Sequence, residues 1–152
     1  MDPDVTPRQL AGTWHIVCST FPMWLSGRRS GPTFTYTPLA DGHRMRDEVA
    51  YRTRRGARRI MGTDTRVGTA AYRWRGLGPL ALLTSTWRIA ERSQADTWAV
   101  ITFNRSLVTP AGVDVIVRAA HLSDETAFAE ALTAGERHGA VPVPVPGVGL
   151  GG

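Results

Sequence analysis

The sequence predicts an all-β fold: a single eight-stranded antiparallel up-and-down barrel with one helix docked on its wall after the last strand. Three observations carry that prediction. Between Thr13 and Arg118, short segments alternate apolar and polar residues with period two. Glycine, proline and aspartate punctuate them at short intervals, as in Pro38–Gly42, Gly76–Pro79 and Thr109–Gly112, so the strands join by tight turns into a meander. One stretch alone, Asp124–His138, carries helical spacing, with Phe128, Ala131 and Leu132 on a single stripe.

The elements follow in order. Residues 1–10 read as a tail and lead-in, residues 11–139 as the barrel with its helix, and residues 140–152, rich in Pro and Gly, as a flexible tail. The first strand, Thr13–Thr20, puts Trp14, Ile16 and Cys18 on one side and Thr13, His15 and Val17 on the other. Phe21–Pro32 is a long connection bearing Phe21, Met23 and Trp24. Loops seldom expose such side chains, so these three either fold over a cavity as a lid or pack beneath it.

Thr33–Thr37 alternates Phe34 and Tyr36 with threonines. Arg44–Thr53 sets Met45, Asp47, Val49 and Tyr51 against Arg44, Arg46, Glu48 and Arg52. The apolar trio marks the inward face, and Asp47 shares it. In Arg59–Arg66, Ile60, Gly62 and Asp64 share a side, so a second carboxylate is placed inward. Ala70–Arg75 opposes Tyr72 and Trp74 to Arg73 and Arg75. Leu82–Glu91 aligns Ser85, Trp87 and Ile89. Thr97–Asn104 sets Trp98, Val100 and Thr102 against Ala99, Ile101 and Phe103. Val113–Arg118 is the eighth strand. Ser123 is read as the helix cap, with acids at the start and Arg137 and His138 at the end, where the helix dipole favours them.

Composition sets the outer limits. Of 152 residues, 42% are hydrophobic and 20% charged, an ordinary globular balance and enough chain for one core. No apolar run is long enough to span a membrane as a helix. The N-terminus has no apolar leader segment, so a cytoplasmic location is expected. The single Cys18 excludes an internal disulfide and reads as a small buried hydrophobe.

All 18 basic residues are Arg, which removes Schiff-base and lysine general-base chemistry. Coding bias toward Arg, Ala, Gly and Val is the economical explanation. The net charge is +5, and arginines crowd the segment from Arg44 to Arg75. A basic stripe can bind nucleic acid. Alternation instead predicts that Arg44, Arg46, Arg52, Arg73 and Arg75 are the solvated outward positions of strands, and we do not expect a nucleic-acid partner. There is no nucleophile elbow, no phosphate loop and no metal-ligand spacing among His15, His43, His121 and His138. No cofactor or metal is therefore expected.

Gly12 and Trp14 ahead of the strand series, Arg118 at the end of the last strand and the helix after it together resemble the lipocalins. The resemblance runs from about Leu10 to Gly139. It implies that Trp14 plugs the closed end of the barrel and that the Arg118 guanidinium stacks on its ring. The Thr-Asp-Tyr that the family carries before the seventh strand is replaced by Ser93-Gln94-Ala95-Asp96, which places the chain on an outlying branch. The glycine-rich repeat of haem-binding relatives is missing, which argues against haem.

A barrel of this size leaves room for one small ligand. Phe34, Met45, Val49, Ile60, Trp74, Trp87 and Trp98, with Phe21, Met23 and Trp24 as lid, are the candidate ligand-binding residues. The bland alternative is that they fill the interior. Two functions fit a small hydrophobic molecule held by a monomer or homodimer. One is a passive carrier or sensor. The other resembles the lipocalin-like cyclases of bacterial polyketide pathways, including Diels–Alder-type enzymes. That resemblance implies a cofactor-free cyclase or isomerase with Asp47, Tyr36, Tyr51 and Tyr72 as catalytic donors.

Overall fold

A computed structural model describes residues 5–106 and 110–144. Eight antiparallel strands form the barrel: β1 (Gly12–Ser19), β2 (Ser30–Pro38), β3 (Arg44–Thr53), β4 (Gly56–Arg66), β5 (Ala71–Gly76), β6 (Thr84–Arg92), β7 (Trp98–Phe103) and β8 (Gly112–Arg118). Each pairs with the next, and β1 closes the ring by pairing with both β8 and β2. Two short helical turns, α1 (Pro7–Leu10) and α2 (Pro22–Leu25), flank β1, and α3 (Glu125–Arg137) follows β8. No helix among the described residues is long and apolar enough to cross a membrane.

The wall made by β7, β8 and β1 is buried on both faces. Inside lie Trp14, Ile16, Ala99, Ile101 and Ile116. Outside lie Val17, Cys18, Trp98, Val100, Val115 and Val117, covered by Ala131 and Ala134 of α3. The helix docks through small residues, Ala127, Ala131, Ala134 and Gly135, with Phe128 and Leu132 only partly buried beside them. Small side chains let the helix backbone approach the sheet closely. A Cβ on Gly135 would stand 3.0 Å from the Cys18 sulfur. The cap is Asp124 rather than Ser123: its carboxylate accepts from the N–H groups of Thr126 and Ala127, so α3 starts at Glu125.

The described parts of the lead-in and of the segment read as a flexible tail are packed. Val5, Pro7 and Leu10 of the lead-in are buried under the barrel. Thr6 opens α1 with a reciprocal capping box to Gln9. After α3, Val141 and Pro142 form a ninth short strand, β9, on Ser19 and Cys18. The buried Val143 donates its N–H to the carbonyl of Val17. This segment takes the edge that β2, paired only with Gly12–His15, leaves open on the upper half of β1. Both packings have one physical cause: unpaired strand edges and open barrel ends are covered with whatever chain lies adjacent. Residues 1–4 and 145–152 lie outside the described residues.

A bulge in β1 decides which of its side chains reach the interior. Ile16 pairs with Ile116 and Cys18 with Val115, so Val17 has no partner of its own on β8. The strand therefore changes phase. Cys18, expected inward with Trp14 and Ile16, turns out against α3, and Ser19 turns in.

Candidate functional site

One end of the barrel is closed. Trp14 is fully buried there, and its indole N–H donates to the carbonyl of Leu10 at 2.9 Å. The Arg118 guanidinium carbon lies 4.1 Å from the centre of the Trp14 ring. Its nitrogens donate to the carbonyls of Ala11 and Asp96 at 3.0 and 2.7 Å and to the Asp96 carboxylate at 2.7 Å. Gly12 adopts φ +113°, a backbone conformation open to glycine, as the chain turns from α1 into β1 beside this guanidinium. Asp96, in the turn that departs from the lipocalin pattern, supplies both a carbonyl and a carboxylate to Arg118.

Toward the other end, the interior holds a cavity of about 190 Å³. Its walls are mostly aromatic. Phe34, Tyr36, Trp87 and Tyr72 form a continuous stack, with successive ring centres 6.0, 5.7 and 4.8 Å apart. Trp74 lies across Gly62, where any Cβ would stand 2.0 Å from the indole nitrogen. That glycine is required for close approach of the ring, not for its own φ. Phe21, Met23 and Trp24, at and within α2, reach the cavity from the loop after β1, with Trp24 edge-on to Tyr51.

Of the residues singled out from the sequence, Phe21, Met23, Trp24, Phe34, Tyr36, Asp47, Val49, Ile60, Trp74 and Trp87 border the cavity. Met45 is fully buried in the same interior cluster without bordering the cavity. Tyr72 closes the far end of the ring stack, and its hydroxyl donates to the carbonyl of Val5 at 2.5 Å. That bond ties Tyr72 to the lead-in, away from any ligand. Tyr51 is half-buried beside Trp24, with the Arg29 guanidinium over its ring at 5.4 Å. It does not border the cavity.

Trp98 is a correction: it sits on the outer face of β7, and its indole N–H donates to Glu130 of α3 at 3.2 Å. Both faces of β7 are apolar because both are covered, so alternation there does not say which side is in. Arg44, Arg46, Arg52, Arg73 and Arg75 are exposed.

Three carboxyl groups lie inside the barrel: Asp47, Asp64 and Asp114 are all buried. Asp64 accepts from the Trp87 indole at 2.9 Å. Asp114 accepts from the Ser19 hydroxyl at 2.6 Å, and that oxygen in turn accepts from the N–H of Phe21. Asp47 and Asp64 share a hydrogen bond, while Asp47 Oδ1 and Asp64 Oδ2 are buried with no partner.

Burial pushes the Asp47 carboxyl up to about 6, moderated by its hydrogen bond to Asp64. Asp64 is raised further, by burial first and then by the neighbouring Asp47 charge. Burial raises Asp114 to about 7, against the Ser19 hydrogen bond, which lowers it. The Tyr36 phenol is raised well above its ordinary value by burial and by the three aspartates, and stays a neutral donor. None of the residues bordering the cavity is basic.

Asp114 escaped the sequence reading. The signal was present: it shares period-two phase with Ile116 and Arg118, both inward. Ser85, Phe103 and Pro110 border the cavity as well.

At the level of sequence, no protein-family model and no curated protein matches the chain. Solved structures do. A siderocalin, Ex-FABP, superposes with a TM-score of 0.65 at 14% identity, over 93% of this chain and 97% of that one. Japanin from Rhipicephalus appendiculatus, bound to cholesterol, gives 0.65 at 10% identity, over 94% and 98%. The bovine lipocalin allergen Bos d 2 gives 0.59 at 10% identity, over 90% and 89%.

The fold is lipocalin-like. In lipocalin terms, the Trp14–Arg118 stack is the closed base and the loop carrying Phe21, Met23 and Trp24 stands at the mouth. Among the described residues, no group of three or more His, Cys, Asp or Glu side chains is arranged to hold a metal ion.

Proposed function

We propose that the barrel binds one small, mostly apolar molecule bearing a single polar group. The observation that carries this reading is an aromatic-walled cavity of about 190 Å³ with buried carboxyls in its wall. An apolar cavity of ~150 Å³ admits benzene, so this one suits a single-ring molecule with a short substituent. Japanin is bound to cholesterol, and Ex-FABP functions through dual ligand specificities. Those neighbours support a ligand-holding role for the fold, and the site's own size sets the scale here.

The test is calorimetric titration with ethylbenzene and with acetophenone, read beside Trp74→Ala. Binding of either probe in the micromolar range, weakened about tenfold or more by Trp74→Ala, supports the reading. No binding of either one overturns it.

A second reading, cofactor-free ring closure or isomerisation of a polyketide-type substrate, is favoured by one feature. Asp47 is a buried carboxyl that titrates near 6 and borders the cavity beside Tyr36. Protonated, it can donate to a substrate carbonyl as charge develops there, while Trp74 and Trp87 hold the chain folded. A polyketide chain exceeds the cavity as it stands, so α2 must swing aside to admit it. On this reading Asp47→Asn keeps binding and lowers turnover, and full turnover in Asp47→Asn removes Asp47 from the mechanism.

A further inference from the structure

We infer that the polar group of the ligand is a protonated amine, seated between Asp47, Asp114 and the faces of the cavity's aromatic rings. This rests on the barrel being a ligand site and adds the chemical class of what it holds. The argument is one of charge balance. A buried charge in a folded protein is paired or hydrogen-bonded, because an isolated one is very costly. Asp47 and Asp114 are 4% and 1% exposed and both border the cavity. The groups that face them can share protons but supply no cation: Tyr36 on β2, Asp64 on β4 and Ser19 on β1. None of the chain's 18 arginines borders the cavity.

Asp47 Oδ1 is buried with no hydrogen-bond partner. An ammonium group has three N–H donors and the missing charge. The rest of the cavity suits it: Phe34, Tyr36, Trp74 and Trp87 offer π faces, which attract a cation most strongly where water is excluded. Among the described residues, the carboxyls are not grouped as a metal site, which favours an organic cation over an inorganic one. Asp47 and Asp114 titrate near 6 and 7. An amine that remains protonated throughout this range lowers both values on binding. Protons are then released, and affinity rises from pH 5.5 to pH 8.

The experiment compares 2-phenylethylamine with 2-phenylethanol by calorimetry at pH 5.5 and pH 8, in buffers of different ionisation enthalpy. The expected result is an amine preference of tenfold or more at pH 8 and a several-fold smaller one at pH 5.5. Proton release should show in the buffer dependence at pH 6.5. Asp47→Asn and Asp114→Asn should each cut the amine's affinity while leaving that of the alcohol within about twofold. Equal binding of alcohol and amine overturns the inference and leaves the ligand site standing. Failure of both, together with failure of ethylbenzene and acetophenone, overturns the ligand site itself.

Discussion

The two ends of the barrel solve opposite problems. At the closed end the Arg118 guanidinium stacks on Trp14 and donates to three backbone carbonyls, of Gln9, Ala11 and Asp96, and to the Asp96 carboxylate. Inside the barrel, three carboxyls are buried with a few hydroxyl and indole donors, and two of them, Asp47 and Asp114, border a cavity that no basic residue lines. A fold that needed only stability would put apolar residues at Asp47, Asp64 and Asp114. The difference separates chain that holds the barrel shut from chain that carries an unmet electrostatic need, and the latter is where function is to be sought.

The largest effect should come from breaking the closed end. Trp14 is fully buried, and Trp14→Ala leaves a large void and an unpaired Leu10 carbonyl. We expect a loss of about 3–5 kcal/mol by urea denaturation. Arg118→Ala removes the stacked cation and frees the carbonyls of Ala11 and Asp96, for about 1–3 kcal/mol. If both variants stay within the usual surface tolerance of ~0.5 kcal/mol from wild type, the base does not lock the barrel.

The cavity should respond in the opposite direction. Aspartates ionise near pH 4 in the unfolded chain, whereas Asp47 and Asp114 do so in the barrel only near 6 and 7. Between those values the unfolded state releases protons that the folded state keeps. Stability therefore falls as pH rises from about 4 to 7. Asp114→Asn keeps the Ser19 hydrogen bond and cannot ionise, so at pH 8 it should stabilise the free protein, on the order of 3 kcal/mol. At pH 4, where both forms are neutral, the variant should match wild type. A destabilised Asp114→Asn at pH 8 would show that the charge is already balanced within the chain.

The same contrast explains what was legible in the sequence. Strands with one covered face read correctly by alternation: β3 and β4 put Asp47 and Asp64 inside because Arg44, Arg46 and Arg52 claim the solvent side. The Gly12, Trp14 and Arg118 positions of the base carried their own signature. Alternation failed where both faces are buried, so Trp98 and the inward side of β7 could not be told apart until α3 was seen covering one of them. Tyr51 and Tyr72 are on inward phase, yet one is drawn to Trp24 and the other to Val5, contacts that depend on where loops and termini fold back. The short β9 was hidden because pairing with Ser19 and Cys18 needs an open edge, not a strand-like sequence.

The smallest expected effect joins the wall and the cavity at Ser19. A strand without a bulge would carry Cys18 inward beside Asp114 and leave Ser19 under α3. The unpaired Val17 exchanges them, giving the helix a thiol and the cavity a hydroxyl. That hydroxyl donates to Asp114 and accepts from the N–H of Phe21, the first residue of the loop over the cavity. Ser19→Ala removes a hydrogen bond that favours the ionised carboxylate, so the Asp114 titration should move above 7, visible as an upward-shifted carboxyl carbon titration in a pH series. Freeing the Phe21 N–H should cost about 1 kcal/mol of stability and loosen the loop first. Amine affinity at pH 7 should fall with it, because less of Asp114 is then ionised, while binding of ethylbenzene, which makes no use of the charge, should not change. A Ser19→Ala protein whose Asp114 titrates unchanged would place the hydroxyl outside the cavity's electrostatics and leave the bulge a purely structural feature of the wall.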